Sequence, residues 1–288
     1  MPSTCSRPRT GRVPELPEVE ITRRHLEPVV CGAVVCGVAV RRERALRLQP
    51  RPRDFAARLQ GRRVLGLARQ GKYLLGDLGD GLTWVTHLGM SGRMALARPG
   101  EPEAAHTAVV VALDGGPEVR FVDPRTFGHT AVLTPEELAA AGPARLGPDA
   151  LDALPGAAAL AARLAGRSAP IKPLLLDQRL VAGLGNIYAD EVLHRARLRP
   201  DRPAGSLGRE EVAALRRAVR PVLQASLRRG GTSLADLAYL LPDGRAGGYL
   251  ERLAVYGRAG EACRRCGTAV ERIVLRGRSA FFCPECQR

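Results

Sequence analysis

The chain has 288 residues, enough for two domains of ordinary size. Lys and Arg total 44 against 29 Asp and Glu, and the net charge of +15 points to a polyanionic partner. No run of 18 apolar residues exists, which excludes a membrane-spanning helix, and Met1–Arg12 lacks the apolar centre of a secretion signal. Only Lys72 and Lys172 supply ammonium groups. Where Arg is the default cation, a retained Lys marks a place that wants a compact point charge.

In chain order, Pro17 suits a first helical turn and Glu18 and Glu20 suit its positive dipole end, so a helix is predicted from about Pro17 to about Val30. Val-rich runs follow at 33–41, 63–67, 73–78, 82–88, 107–113, 119–122 and 130–133, separated by Gly-Asp-Gly and Asp-Gly-Gly turns. A short helix is predicted over 54–59. Strands without alternating helices imply an antiparallel sandwich. Thr134-Pro-Glu-Glu137 is a helix start with a capping box. Residues 143–160 are Ala-, Pro- and Gly-rich and read as a linker. Helices are predicted over 151–164, 171–178, 187–196 and 210–229, the last stopped by Gly230-Gly231. The expected class is therefore α+β, with a β-sandwich over 14–145, a helical domain over 146–260, a small module over 261–288 and an N-terminal extension over 1–13.

Cys263-x2-Cys266-x16-Cys283-x2-Cys286 has zinc-site spacing, two thiolates from each turn. With all four ligands from protein the metal is structural, and the residues between read as a hairpin presenting Arg276 and Arg278 at its tip. Gly183-Leu-Gly-Asn-Ile-Tyr-Ala-Asp-Glu191 places glycines before a helix, where free amides favour a phosphate and Asn186 adds a donor. His87-Leu-Gly-Met-Ser-Gly92 and Asp123-Pro-Arg-Thr-Phe-Gly128 set polar groups beside glycines at strand ends, as loop sites require, although packing alone would explain them equally well.

Together with Pro14-Glu-Leu-Pro-Glu-Val-Glu20, Gly71-Lys-Tyr and Ile171-Lys-Pro, these motifs resemble the formamidopyrimidine-DNA glycosylase family from Pro14 to Arg288. The resemblance implies a β-sandwich, a helix–two-turn–helix domain and a zinc finger holding one structural Zn2+. It further implies a monomeric, cytoplasmic, nucleoid-associated base-excision enzyme that binds damaged double-stranded DNA, removes oxidised purines and cuts the strand as an AP lyase. By the same resemblance Pro14 is the amine nucleophile and Glu15 the acid at the sugar. Glu18 is a second acidic group, and Lys72, His87, Asn186 and Arg278 grip phosphates. Met90, Arg125 and Phe127 fill the gap left by the extruded base, and Lys172 handles the lesion.

The chain departs from the family pattern twice. Thr126 stands where many relatives carry a second Arg, and Pro14 is preceded by thirteen residues. A proline nitrogen inside a peptide bond has no nucleophilic lone pair. Because Val13 is what an alternative GTG start codon would spell, the expected working chain begins at Pro14. Two other readings stand beside this one. The sister endonuclease VIII family prefers oxidised pyrimidines but typically has Gly at the place of Leu16. A non-catalytic DNA-binding protein is expected if residues 1–13 persist.

Overall fold

The structure is a computed structural model that describes residues 14–49, 51–233 and 239–288. Residues 1–13, on which the expectation about the start of the chain falls, lie outside these.

Helix α1 (Leu16–Val30) opens the described chain. Strands β1 (Val35–Val40), β2 (Gly66–Gln70), β3 (Tyr73–Asp77), β4 (Thr83–His87), β5 (Arg93–Ala97), β6 (Thr107–Leu113), β7 (Glu118–Val122) and β8 (His129–Leu133) form two antiparallel sheets. Their orders are β1-β6-β7-β5 and β2-β3-β4-β8. Helix α2 (Pro52–Leu59) follows β1, and α3 (Pro135–Ala140) follows β8. Alternation sorts the side chains of the second sheet. Leu74, Trp84 and Val132 enter the core shared with Val109, Val111, Val119 and Phe121 of the first sheet. Val85, Ala131 and Leu133 face the opposite way and pack with Leu138 of α3. Thr134 caps α3 as expected, its hydroxyl accepting the Glu137 amide at 3.3 Å while Glu137 accepts the Thr134 amide at 3.0 Å.

Two strand expectations need correction. The run 63–67 is not the second strand. Arg63 bridges back to Val34, and the chain crosses to the other sheet only at Gly66. Strand β5 was not anticipated, because Ala95, Ala97 and Arg93 carry little β preference. Met94, opposite Phe121 and buried, and the partly buried Leu96 carry its inward face.

The second half is built from α4 (Ala157–Leu164), α5 (Ile171–Leu175), α6 (Asn186–Ala196) and α7 (Arg209–Leu227). Helix α4 starts later than expected, because Pro155-Gly156 precede it and 151–153 form a turn on the Asp149 carboxylate. Helix α5 stops at Leu175, where the Gln178 amide donates to the Leu176 carbonyl at 3.0 Å and the Leu184 carbonyl at 2.8 Å. Helix α7 runs through Pro221 and ends at Leu227, just ahead of Gly230-Gly231, both with positive φ (73° and 80°). The chain closes with the hairpin β9 (Glu271–Leu275) and β10 (Arg278–Phe282).

Helix α1 belongs to both cores. Val19, Leu26 and Val30 sit among the sheets, whereas Leu16 is fully buried among the helices with Leu184, Ile187 and Leu223. The Leu16 amide donates to the Gly183 carbonyl at 3.1 Å. A side chain at Gly183 would overlap Leu16, so glycine there is a packing requirement.

Candidate active site at the domain junction

Pro14 and Glu15 are buried where α1 meets α6. One Glu15 oxygen accepts the Gly185 amide at 2.7 Å and the Tyr188 amide at 3.3 Å, and the other accepts the Ile187 amide at 2.8 Å. The free helix-start amides expected to hold a phosphate are therefore taken by a carboxylate of the protein. The attraction is as predicted, since the first amides of a helix favour an anion, but the anion is Glu15. Gly185 allows the approach, because a methyl group there would overlap the carboxylate. Burial raises the Glu15 pKa above its ordinary value, opposed by the Lys72 charge and by the three amides.

Glu18, one turn on, accepts the Glu15 amide at 3.0 Å. Its other oxygen accepts the Tyr188 hydroxyl at 2.5 Å and the Thr232 amide at 2.8 Å. Burial pushes its carboxyl up to about 7. This one side chain joins α1, α6 and the segment after α7.

Lys72 lies in the turn between β2 and β3, held from behind by the other half of the molecule. The Gly71 amide donates to Asp149 at 2.9 Å, and the Gly71 carbonyl accepts Arg69 at 3.0 Å. Arg69 in turn grips both Asp149 oxygens, at 2.5 and 3.1 Å. Burial lowers the Lys72 pKa, Glu15 raises it and Arg278 lowers it, so the finger and the sandwich bring cations within electrostatic reach of one another. Asn186, first residue of α6, donates to the Tyr256 hydroxyl at 3.3 Å. Its carbonyl oxygen is buried without a partner among the described residues.

Lys172 is enclosed by its neighbours. It is 1% exposed, pairs with Asp190 at 2.8 Å and donates to the Ser279 carbonyl at 2.5 Å. Asp190 also accepts the Phe281 amide at 2.9 Å. These contacts tie Lys172 to α6 and to β10, the strand that carries Arg278. The hairpin also differs in detail. Arg276 and Gly277 both have positive φ (47° and 77°) and form the two-residue tip, while Arg278 is the exposed first residue of β10.

His87 ends β4 with its neighbours set by register. Tyr73, His87 and His129 are cross-strand partners in one row. The Tyr73 and His87 rings lie 4.7 Å apart, and His87 stacks on His129 at 5.3 Å and 9°. The His87 Nδ1 accepts the Gly89 amide at 3.0 Å, which leaves Nε2–H as its donor. Burial, with the nearby cations, lowers its pKa to about 3. The loops 87–92 and 123–128 lie against each other, since a side chain at Gly89 would overlap Gly128. Asp123 accepts the Ser91 hydroxyl and the Gly128 amide, both at 2.6 Å. Phe127 is 47% exposed, the Arg125 guanidinium lies 5.4 Å over its ring, and Met90 is half-buried in the first of these loops.

The Sγ atoms of Cys263, Cys266, Cys283 and Cys286 all lie within 4.8 Å of one another. The Cys266–Cys283 and Cys263–Cys286 separations are 3.4 and 4.0 Å, too long for disulfides. They suit the roughly 3.8 Å edge of a tetrahedron with Zn–S bonds of about 2.3 Å. His194 Nε2 approaches Cys263 Sγ at 3.6 Å from the end of α6.

Three family profiles match in succession: the formamidopyrimidine-DNA glycosylase N-terminal domain over residues 13–130, its H2TH domain over 146–237, and the zinc finger found in FPG and IleRS over 260–288. A formamidopyrimidine-DNA glycosylase of Cereibacter sphaeroides is 48% identical, with 96% of this chain and 100% of that protein covered. The chain belongs to the formamidopyrimidine-DNA glycosylase family. The Moorella thermoacetica member is also 48% identical, with 91% of this chain and 94% of that protein covered. Among solved structures, the MutM (Fpg) protein of Thermus thermophilus has a TM-score of 0.84 at 44% identity, with 95% and 98% covered. The Lactococcus lactis Fpg bound to DNA containing an abasic site has a TM-score of 0.87 at 31% identity, with 96% and 100% covered. The family fold and its four-cysteine finger are thus those expected from the sequence, and the cysteine cluster suits one structural zinc.

Several residues of this family member escaped the sequence reading. Arg69 and Asp149 position Lys72, yet they are 80 positions apart and signal nothing locally. Asp123 was read as part of its motif but not as the acceptor that shapes the loop; the cue was there, since its carboxylate lies 3.3 Å from the Arg125 amide, two residues on, as Asp commonly does in turns. Arg47 had none, since its partners begin 79 residues downstream.

Proposed function

We propose that the chain is a base-excision DNA glycosylase and AP lyase that removes oxidised purines from duplex DNA through Pro14, as a monomer in the cytoplasm at the nucleoid. The observation that supports this most is Glu15, adjacent to Pro14, fixed on the first amides of α6 and within electrostatic reach of Lys72. In this reading the Pro14 secondary amine attacks the sugar C1′ and the damaged base leaves with its bonding electrons. Glu15, whose pKa is raised by burial, protonates the ring oxygen. The resulting iminium draws electrons from the sugar, and both flanking phosphates depart by successive elimination. Lys72, His87, Asn186 and Arg278 hold backbone phosphates, Glu18 fixes α1 against α6, and Met90, Arg125 and Phe127 occupy the space of the flipped nucleotide.

The amine must be free and unprotonated, and an α-amine titrates at about 7.7–8.0. The reading therefore requires a chain that starts at Pro14. Borohydride should trap such a chain on DNA containing an oxidised purine, and should not trap one held at Met1 and verified by intact mass. Equal trapping of both would remove Pro14 as the nucleophile.

A further inference from the structure

The loop proposed to enter the DNA stack is held from two sides. On one side Asp123 and Ser91 bind its amides: Gly128 N–H to Asp123 at 2.6 Å and Arg125 N–H to the Ser91 hydroxyl at 3.0 Å. On the other side its carbonyls converge on one guanidinium. Arg47 donates to the Gly128 carbonyl at 2.5 Å, the Thr126 carbonyl at 3.4 Å, the Phe127 carbonyl, and His129 Nδ1 at 3.1 Å. Arg47 directly follows the 3₁₀ turn Glu43–Leu46, whose Ala45 and Leu46 are anchored in the sandwich core.

We infer that Arg47 is a positioning residue for base extrusion, holding residues 126–128 in the shape that presents Phe127 while making no contact with DNA itself. The inference rests on the reading of Phe127 as the residue that enters the stack.

Three observations carry it. First, three consecutive carbonyls accept from the same side chain, and a flexible loop has no internal donor that reaches all three. A planar guanidinium presents several N–H groups in fixed directions, whereas an ammonium is a point donor on a flexible stem. Second, Thr126 has φ of 57°, a left-handed conformation that a β-branched residue adopts only under external restraint. Its carbonyl is one of those Arg47 holds. Third, the same guanidinium donates to His129, which stacks on His87. Arg47 thereby joins the loop, through His129, to a residue of the proposed phosphate grip. Arg47 takes part in none of the ion pairs of the described residues; the Asp123 charge reaches it only at longer range, and its hydrogen bonds go to the loop carbonyls and His129.

The test uses the zinc-loaded full chain beginning at Pro14, with Arg47→Met, Arg47→Lys and Phe127→Ala. A fluorescent base analogue beside an 8-oxoguanine reports extrusion. Both Arg47 variants should extrude slower by about tenfold or more, because misplacing a group by even 1 Å can cost roughly two orders of magnitude. Undamaged-DNA binding should keep its salt slope, because no phosphate contact is lost. Amide exchange at residues 125–128 should accelerate in Arg47→Met, while the melting temperature stays near that of the parent. A salt slope reduced by about one unit would make Arg47 a phosphate contact and overturn the inference. Full extrusion in Arg47→Lys would also overturn it, since charge alone would then suffice. So would unchanged exchange in the loop. If Phe127→Ala extrudes normally, the reading of Phe127 fails instead; the exchange measurement still decides whether Arg47 holds the loop.

Discussion

His87 illustrates how much of a residue's behaviour comes from its neighbours. The motif around it was legible, but its charge state was not. That depends on Tyr73 and His129, brought alongside by register across β3, β4 and β8. With Nδ1 accepting a backbone amide and the pKa lowered to about 3, the ring is neutral at physiological pH and donates through Nε2. DNA affinity should therefore show no protonation step near pH 6.5 that disappears in His87→Gln; such a step in a binding titration would mean that the grip is an imidazolium. Stability behaves differently. The unfolded ring takes up a proton at about pH 6.5 while the folded ring does not, so the contribution is complete above that pH and declines as pH falls from about 6.5 toward 3. His129, lowered by burial to about 4, acts in the same direction. Glu18, pushed up to about 7, acts in the opposite direction, so the test is the difference between proteins: the urea midpoint of His87→Gln should gain on that of the parent as pH falls from about 7 to 5.

At the scale of elements, α6 organises half the site. Its amides bind Glu15, its first residue is Asn186, and Asp190 holds β10 through the Phe281 amide. Glu191 accepts the amides of Ala254, Val255 and Tyr256 at 2.7–3.0 Å, fixing the chain that leads into the finger. Gly185→Ala would push the Glu15 carboxylate off the helix start. A loss of about 1–3 kcal/mol in stability is expected, as for other forced overlaps in a packed interior. Excision should fall further than DNA binding, and a variant with parental turnover would show that the Glu15 position is not critical. The finger gives a second test. Cys266→Ser should lower zinc content and DNA affinity together, because the metal holds the hairpin that carries Arg278; a metal-free protein with full binding would refute that link. Element types were readable where period and punctuation agreed, as in α1, α3 and α7. They were unreadable where the partner supplied the reason: β5 becomes a strand because Phe121 lies opposite Met94, and α5 ends because the Gln178 side chain turns back. For the same reason the anion at the start of α6 was foreseen but its identity was not, since Glu15 lies 170 residues away.

For the whole molecule, the net charge of +15 is a statement about association with DNA, but only some of it does the gripping. Arg69 is nearly buried and bound by Asp149 and Glu20, and Arg41 and Glu103 pair at 2.7 Å. Arg278 is exposed and takes part in none of the ion pairs of the described residues. Arg278→Ala should weaken damaged and undamaged DNA alike and reduce the salt slope by about one unit. A slope unchanged from pH-matched parental protein would place Arg278 away from the backbone.

The double membership of α1 bears on how this enzyme can be divided. Leu16 fills a place among the helices, and Glu15 and Glu18 satisfy amides of α6 and of the segment at Thr232. A second half expressed by itself would keep its helices but lose the plug beside Gly183 and the acceptors for those amides. Mixing separately made halves would then have to rebuild an interface of buried carboxylates in the encounter itself.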